Sequence, residues 1–459
     1  RLTVTSETGV SNQFSALGTA DKDLFKGWPK YLGSYFSDIA PVFADLDGDG
    51  VKELIFGAPD SKLYAYRKDG SNFPGFPVVL DSSDTYESIK LVNIDDLDKD
   101  GKREIVVSAL NADQTRKISI VRSDGTFYPG WTQPSSISSY GNVPTIADLD
   151  GDGIKELVSM QVNTWVDRTD LKLHAFKLNG SELAGFPKSY TLPPNGFEAG
   201  NIFPTSNAGA LSIADLDRDG QPEIAWAFSN RIYLFDNAGN ILPGWPFIVP
   251  NYTWTDGKNY IMLYTSTLAS GDVDGDGNLE LFALSTMGCV ILSGGGFGGG
   301  CYLVGPTVMY GFKKDGTVLS GWPKTDITDA FKSGTIQNPT YGPTLSDIDG
   351  DGKDEIIIGG SPLTIFDVEG KKVLTSPPTI YTQSALSDID GDNSLEFTGV
   401  FYNGIFIVKQ NGSSYSNYWQ RITIAGMIPT HIAVADMDNN NKMELAAISR
   451  PYGWGYTTL

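Results

Sequence analysis

The sequence predicts an all-β protein made of one four-stranded unit repeated around a ring, and three observations lead there. A nine-residue acidic pattern, D-x-D-x-D-G-x-x-E with small variations, recurs eight times along 459 residues. A short apolar run precedes each copy, and further runs with period-two alternation follow it. No stretch of useful length carries the period of an amphipathic helix. Successive copies lie 41 to 75 residues apart, which is the period of a repeated supersecondary unit interrupted by insertions. Four antiparallel strands per repeat, arranged radially, make a β-propeller.

The first unit shows how each element is read. APVFAD is a first strand, DLDGDGVKE from Asp45 is the hairpin loop, ELIFGA is a second strand and KLYAYRKDG is a third strand with its turn. Later copies of the loop are DLDKDGKRE from Asp96, DLDGDGIKE from Asp148, DLDRDGQPE from Asp215 and DVDGDGNLE from Asp272. DIDGDGKDE from Asp347, DIDGDNSLE from Asp388 and DMDNNNKME from Asp436 complete the set. A Gly-aromatic-Pro or Gly-aromatic signature closes most units, at Gly75, Gly130, Gly185, Gly244 and Gly321, and is read as the outer edge strand. Its rings Phe76, Trp131, Phe186, Trp245 and Trp322 recur once per unit, as packing residues between blades must.

The ends predict closure. An unclaimed GWP at Gly27, with Trp28, precedes the first acidic loop, and no such signature follows the last one. Residues 1–30 are therefore expected to complete the last blade of a single domain spanning 1–459. Eight blades are expected, with seven the alternative if the degenerate Asp436 unit is not a full blade.

Three side-chain oxygens at alternate positions, a Gly for the sharp turn and a late Glu form the ligand set of a calcium loop. The expected ligands are Asp45, Asp47, Asp49 and Glu53; Asp96, Asp98, Asp100 and Glu104; Asp148, Asp150, Asp152 and Glu156; and Asp215, Asp217, Asp219 and Glu223. The remaining sets are Asp272, Asp274, Asp276 and Glu280; Asp347, Asp349, Asp351 and Glu355; Asp388, Asp390, Asp392 and Glu396; and Asp436, Asp438, Asn440 and Glu444. More than half of the chain's 55 acidic residues lie in these loops, and four carboxylates in one hairpin repel strongly without a cation. Up to eight structural Ca²⁺ ions are expected. The closing Glu falls at position 9 and strands flank the loop, so this is not an EF-hand, whose Glu is at position 12.

On these residues the chain resembles the FG-GAP/VCBS-type calcium-binding propellers, which include the head of integrin α subunits. The segment DLDGDGVKELIFGAPDSKLYAY even contains a literal FGAP at Phe56 to Pro59. The resemblance implies a structural metal in the hairpin between first and second strands. It leaves the ligand open, because one fold hosts many functions.

A net charge of −21 argues against nucleic acid or an anionic membrane as partner. No apolar run is long enough to span a bilayer. An export signal is expected to have been removed ahead of Arg1. Cys289 and Cys301 flank a Gly-rich segment and are expected to form a disulfide, which suits an oxidising, extracellular setting. Two Cys and two distant His cannot assemble a tetrahedral zinc site. His174 and His431 are read as packed or surface residues rather than bases, and no nucleophile-elbow, metalloprotease or phosphate-loop motif is present.

Long insertions carry the aromatic residues Trp165, Tyr252, Trp254, Tyr260 and Tyr341. Loops on a rigid scaffold commonly hold binding residues, and rings with few charges suit sugar stacking or protein contact. The leading expectation is an extracellular binding or adhesion module for a glycan or protein ligand. One alternative is a structural subunit of a surface layer or filament, assembled from copies of itself. A second is a polysaccharide lyase, because some eight-bladed rhamnogalacturonan lyases resemble this architecture.

Overall fold

The computed structural model describes residues 2–5, 11–14, 25, 27–28, 30, 40–58, 60–80, 86–111, 116–137, 144–164, 169–192, 211–228, 230–250, 252–253, 259–260, 262–287, 307–325, 343–358, 363–376, 385–392, 394–401, 404–411, 414–422 and 427–451. Among them every regular element is a strand, apart from a 3₁₀ turn at Ser135–Ile137.

The Asp148 unit shows the plan. Strands Thr145–Ala147, Glu156–Thr164, Thr169–Phe176 and Lys188–Leu192 pair in chain order, each antiparallel to the next. The first hairpin ends in the same register in every unit. The residue before the leading Asp faces the closing Glu: Ala44↔Glu53, Asp95↔Glu104, Ala147↔Glu156 and Ala214↔Glu223 in the first four units. Gly271↔Glu280, Ser346↔Glu355, Ser387↔Glu396 and Ala435↔Glu444 complete the series. The acidic pattern thus fixes the hairpin, and with it which side chains of each strand face a neighbouring sheet.

The core lies between sheets. Second strands are buried on both faces, as in Glu53–Ala58, and read as unbroken apolar runs. One cluster joins Ile55, Leu63 and Phe76 of the first unit to Ile105, Val107 and Val121 of the second. Another joins Leu54, Phe56 and Tyr66 of the first unit to Met437 and Ile448 of the last. Each sheet that carries an acidic loop abuts the next in sequence, and strand Met427–Ala435 of the last abuts strand Val42–Ala44 of the first. Backbone hydrogen bonds cross these boundaries at one place in the loops. The amide at loop position 8 donates to a carbonyl at position 2 of the preceding loop, as in Lys155 to Leu97 (3.0 Å) and Leu279 to Leu216 (2.7 Å), or at position 1, as in Asp354 to Asp272 (2.8 Å). Lys52 donates in the same way to Met437 at 2.7 Å, so the last and first units are joined like internal neighbours.

The Gly-aromatic-Pro signature is not the outer strand that its sequence suggests. Phe76 and Trp245 stand in a turn, their amides donating to Phe73 O (3.0 Å) and Leu242 O (3.2 Å), and short outer strands Val78–Val79 and Phe247–Ile248 follow. Proline lacks an amide donor, which suits the turn better than a paired strand. The rings do pack between units. The Trp245 and Trp322 indole N–H groups donate to Lys314 O and Val368 O of the following unit, both at 2.8 Å. Trp131 differs and donates to Ile118 O of its own unit. In the units led by Asp347 and Asp388, which lack the signature, Lys372–Ser376 and Ser414–Ile422 take the outer position.

Trp28 makes the bond of Trp245 and Trp322 at the start of the chain, donating to Lys68 O of the first unit at 2.8 Å. Gly27 beside it has φ +93°, and a Cβ there would stand 2.1 Å from Asp69 O, so only glycine allows this approach. Gly244, beside Trp245, has the same relation to Asp315 O.

Candidate metal centre

Each acidic loop is organised by its own carboxylates before any ligand is considered. In the first, Asp45 Oδ1 accepts the amides of Gly48 (2.7 Å) and Asp49 (3.2 Å), and its Oδ2 accepts that of Gly50 (2.9 Å). Asp49 Oδ1 accepts the amide of Val51 at 2.7 Å. This is the local side-chain-to-backbone bonding that makes Asp a turn former. Loop position 6 needs a left-handed backbone, supplied by Gly50 (φ +88°) and, in the degenerate last loop, by Asn441 (φ +63°).

The closing Glu does two jobs. One oxygen, Oε2, accepts the amide of loop position 2 in every copy: Leu46 to Glu53 (3.1 Å), Leu97 to Glu104 (3.1 Å), Leu149 to Glu156 (3.0 Å) and Leu216 to Glu223 (2.9 Å). Val273 to Glu280 (3.2 Å), Ile348 to Glu355 (3.0 Å), Ile389 to Glu396 (2.8 Å) and Met437 to Glu444 (2.8 Å) complete the pattern. This bond turns the position 2 side chain inward, and Leu46, Leu97 and Val273 are fully buried. In the first three loops the Glu carboxylate also stands beside those of positions 1 and 3. Carboxylate oxygens of Asp45, Asp47 and Glu53 lie within 4.8 Å of one another, as do those of Asp96, Asp98 and Glu104 and of Asp148, Asp150 and Glu156. The same holds for Asp215, Asp217 and Glu223 and for Asp272, Asp274 and Asp276.

Electrostatics show the strain in this arrangement. Burial pushes the Glu53 carboxyl up to about 7, and Asp47, Asp49 and Asp45 push the same way, against the stabilising Leu46 amide. Glu104, Glu156, Glu280 and Glu355 are likewise raised to about 7, by burial first. A hard cation held by oxygen donors would relieve this repulsion, and the donor set fits Ca²⁺ in the loops led by Asp45, Asp96, Asp148, Asp272 and Asp347.

Three loops differ in a way the sequence reading missed. Lys314 Nζ lies 2.6 Å from Asp217 and 2.7 Å from Glu223, and Lys68 Nζ lies 2.5 Å from Asp438 and 3.0 Å from Glu444. Lys409 Nζ pairs with Asp390 at 2.6 Å, with Asp392, and at 3.6 Å with Glu396. Lys68 and Lys314 reach these loops from the next unit around the ring, a relation visible in the sequence only once the turns of different units are aligned.

Comparison with known proteins relates part of the chain to a repeat family. A model described as an FG-GAP-like repeat matches residues 96–159 and 215–283. The chain carries FG-GAP-like repeats. Integrin alpha-4 of Xenopus laevis is 27% identical over 29% of this chain. That stretch is 15% of the integrin's length, so the chain spans a small part of this relative. Among solved structures, the rhamnogalacturonan lyase PL11 of Bacillus licheniformis aligns over 100% of this chain and 73% of its own, with 18% identity and a TM-score of 0.50. Sqt1 of Saccharomyces cerevisiae aligns over 94% of this chain and 97% of its own, with 7% identity and a TM-score of 0.54. These likenesses support the propeller fold, and the FG-GAP-like repeats resemble those of the integrin α head.

The connections between second and third strands, and between one unit's outer strand and the next unit's first, leave from the strand ends opposite the acidic loops, as the antiparallel order requires. Trp165, Trp254 and Tyr341 of the expected ligand face lie outside the described residues, as do Cys289 and Cys301. Tyr252 and Tyr260 are register partners in a two-stranded hairpin. His174 is buried, stacked on Phe176 with ring centroids 5.3 Å apart, and its Nδ1 lies 2.7 Å from Glu182. His431 lies in strand Met427–Ala435, beside the last acidic loop. No helix of the described residues is long and apolar enough to cross a membrane.

Proposed function

We propose that the chain is an eight-bladed, calcium-stiffened propeller that works outside the cell as a binding or adhesion module. Residues 1–30 complete its last blade, and the loops led by Asp45, Asp96, Asp148, Asp272 and Asp347 hold calcium as a structural ion. The observation that carries this reading is the closing Glu, which bonds the loop's own backbone while its carboxylate stands beside two Asp carboxylates. The cation would add hard-oxygen coordination there and stiffen one rim. The opposite rim would present Trp165, Tyr252, Trp254, Tyr260 and Tyr341 to a glycan or protein ligand. The likeness to an integrin α chain supports an extracellular or cell-surface setting.

The test is binding to arrays of neutral oligosaccharides and of extracellular protein domains, in calcium and in EDTA. Calcium-dependent binding, weakened tenfold or more by W165A, W254A or Y341A with unchanged melting temperature, supports the reading. Binding unaffected by all three variants overturns the assignment of that rim. Release of unsaturated sugars from a rhamnogalacturonan would make the chain a lyase, and concentration-dependent filaments would make it a structural subunit.

A further inference from the structure

The geometry points to a division among the eight acidic loops: those led by Asp215, Asp388 and Asp436 are closed by a lysine ammonium instead of a metal ion. This rests on the reading of the other loops as calcium sites, and it corrects the sequence expectation that all eight are alike.

The turn after the third strand provides the geometry. Isolated bridges Tyr66↔Asn72, Val121↔Phe127, Phe176↔Glu182, Phe235↔Ile241 and Phe312↔Val318 align this turn across five units. Its second residue reaches the acidic loop of the preceding unit. Leu178 packs with Leu97, Asn237 Nδ2 donates to Leu149 O at 3.0 Å, and Val368 packs on the cluster containing Val273. Ser123 holds the same place in the second unit. None of these side chains carries charge. At the two remaining aligned places the residue is Lys314 or Lys68, and each ammonium bridges the position 3 Asp and the position 9 Glu of the loop it meets. The same contact twice, in loops 221 residues apart in sequence, follows from the turn's geometry rather than from chance placement.

Lys409 arrives by another route. Within strand Gly404–Asn411 it holds the place that Arg67 and Arg122 hold at the start of their turns, where those residues lie over Phe73 and Tyr128, both 5.3 Å from the ring centroid. Its ammonium enters its own loop among Asp390, Asp392 and Glu396. Lys313 holds the same place but is half-exposed and lies 3.3 Å from Asp274 and 3.9 Å from Asp276, at the loop's outer edge.

An ammonium at these distances uses the oxygens that a Ca²⁺ ion would need, and a dication a few ångströms from it is repelled. Lys68 is also held from a third side, 4.5 Å from the Phe25 ring centroid. In the Asp436 loop the lysine accompanies Asn440 and Asn441, residues that weaken a calcium site. The lysines bond these loops without a dissociable ligand, so part of the ring stays closed when calcium is scarce.

The experiment is equilibrium dialysis of the purified chain against calcium, with bound metal counted by elemental analysis, for wild type and for K314Q, K409Q, E223Q and E156Q. Wild type is expected to hold five ions. K314Q and K409Q should each gain one, E156Q should lose one, and E223Q should leave the count unchanged. Eight ions in wild type, or a loss in E223Q equal to that in E156Q, overturns the division. No bound calcium in any form overturns the underlying calcium reading instead. E156Q and E223Q keep an oxygen for the position 2 amide, so the comparison stands even if a lysine variant fails to fold.

Discussion

The indole of Trp28 donates to the backbone carbonyl of Lys68 at 2.8 Å, and this bond repeats what Trp245 and Trp322 do inside the ring. Around it the N-terminal segment, the first unit and the last unit meet. Trp28 packs edge-on to Tyr66 with ring centroids 5.7 Å apart, while the Lys68 ammonium reaches Asp438 and Glu444. Among the described residues, the seam is held by the same kinds of contact as the internal boundaries.

Replacing Trp28 by Ala should therefore cost as much as replacing Trp245. Each change removes a half-buried or buried indole and one hydrogen bond, a loss of about 3 kcal/mol. Urea titration measures it, with the slope m held equal between variants. A loss under about 0.5 kcal/mol for W28A beside several for W245A would show that the N-terminal segment is an accessory rather than part of the ring.

Calcium removal should lower the melting temperature by many degrees. An ion bound only to the folded state at 100 times its Kd adds about 2.7 kcal/mol per site. Magnesium should restore less, because it demands a tighter octahedral shell and gives up water reluctantly. Differential scanning calorimetry in EDTA, Ca²⁺ and Mg²⁺ checks both statements, and identical melting in all three would remove the metal from the account.

The acidic pattern, its turn and the strand on either side were legible in the sequence because all are local. Asp45, Gly50 and Glu53 act within one hairpin, and a nine-residue window contains every partner they need. Lys68 and Lys314 were not legible, because Lys314 meets Asp217 across 97 residues and only the stacking of units brings them together. The Gly-aromatic-Pro signature was read correctly for packing and wrongly for conformation. Its alternation resembles a strand, but the bond from Phe76 N to Phe73 O makes it a turn.

In EDTA the protein should become less stable as pH rises. Glu53, Glu104, Glu156, Glu280 and Glu355 are raised from 4.5 to about 7 in the metal-free fold. The folded state thus binds protons more tightly than the unfolded state, a contribution complete below pH 4.5 and lost as pH rises through about 7. In saturating calcium the slope should reverse, because protons then compete with the ion for the same oxygens. Melting temperatures at pH 5.5 and pH 8, in EDTA and in calcium, decide it: parallel trends in the two buffers would contradict the assignment of these carboxylates to the metal.

Glu104 separates the two tasks of the closing residue. Gln at this position keeps a carbonyl oxygen for the Leu97 amide but removes the charge set against Asp96, Asp98 and Asp100. In EDTA the E104Q protein should melt no lower than wild type, since the buried repulsion is relieved and the amide stays paired. In calcium it should gain less than wild type, with tenfold or weaker binding at that loop. E104A differs because it leaves the buried Leu97 amide unpaired, which costs about 1–3 kcal/mol with or without metal. Equal destabilisation of E104Q and E104A in EDTA would mean that the Glu charge itself holds the hairpin. Glu104 would then be a structural carboxylate whose second oxygen has no call on a cation.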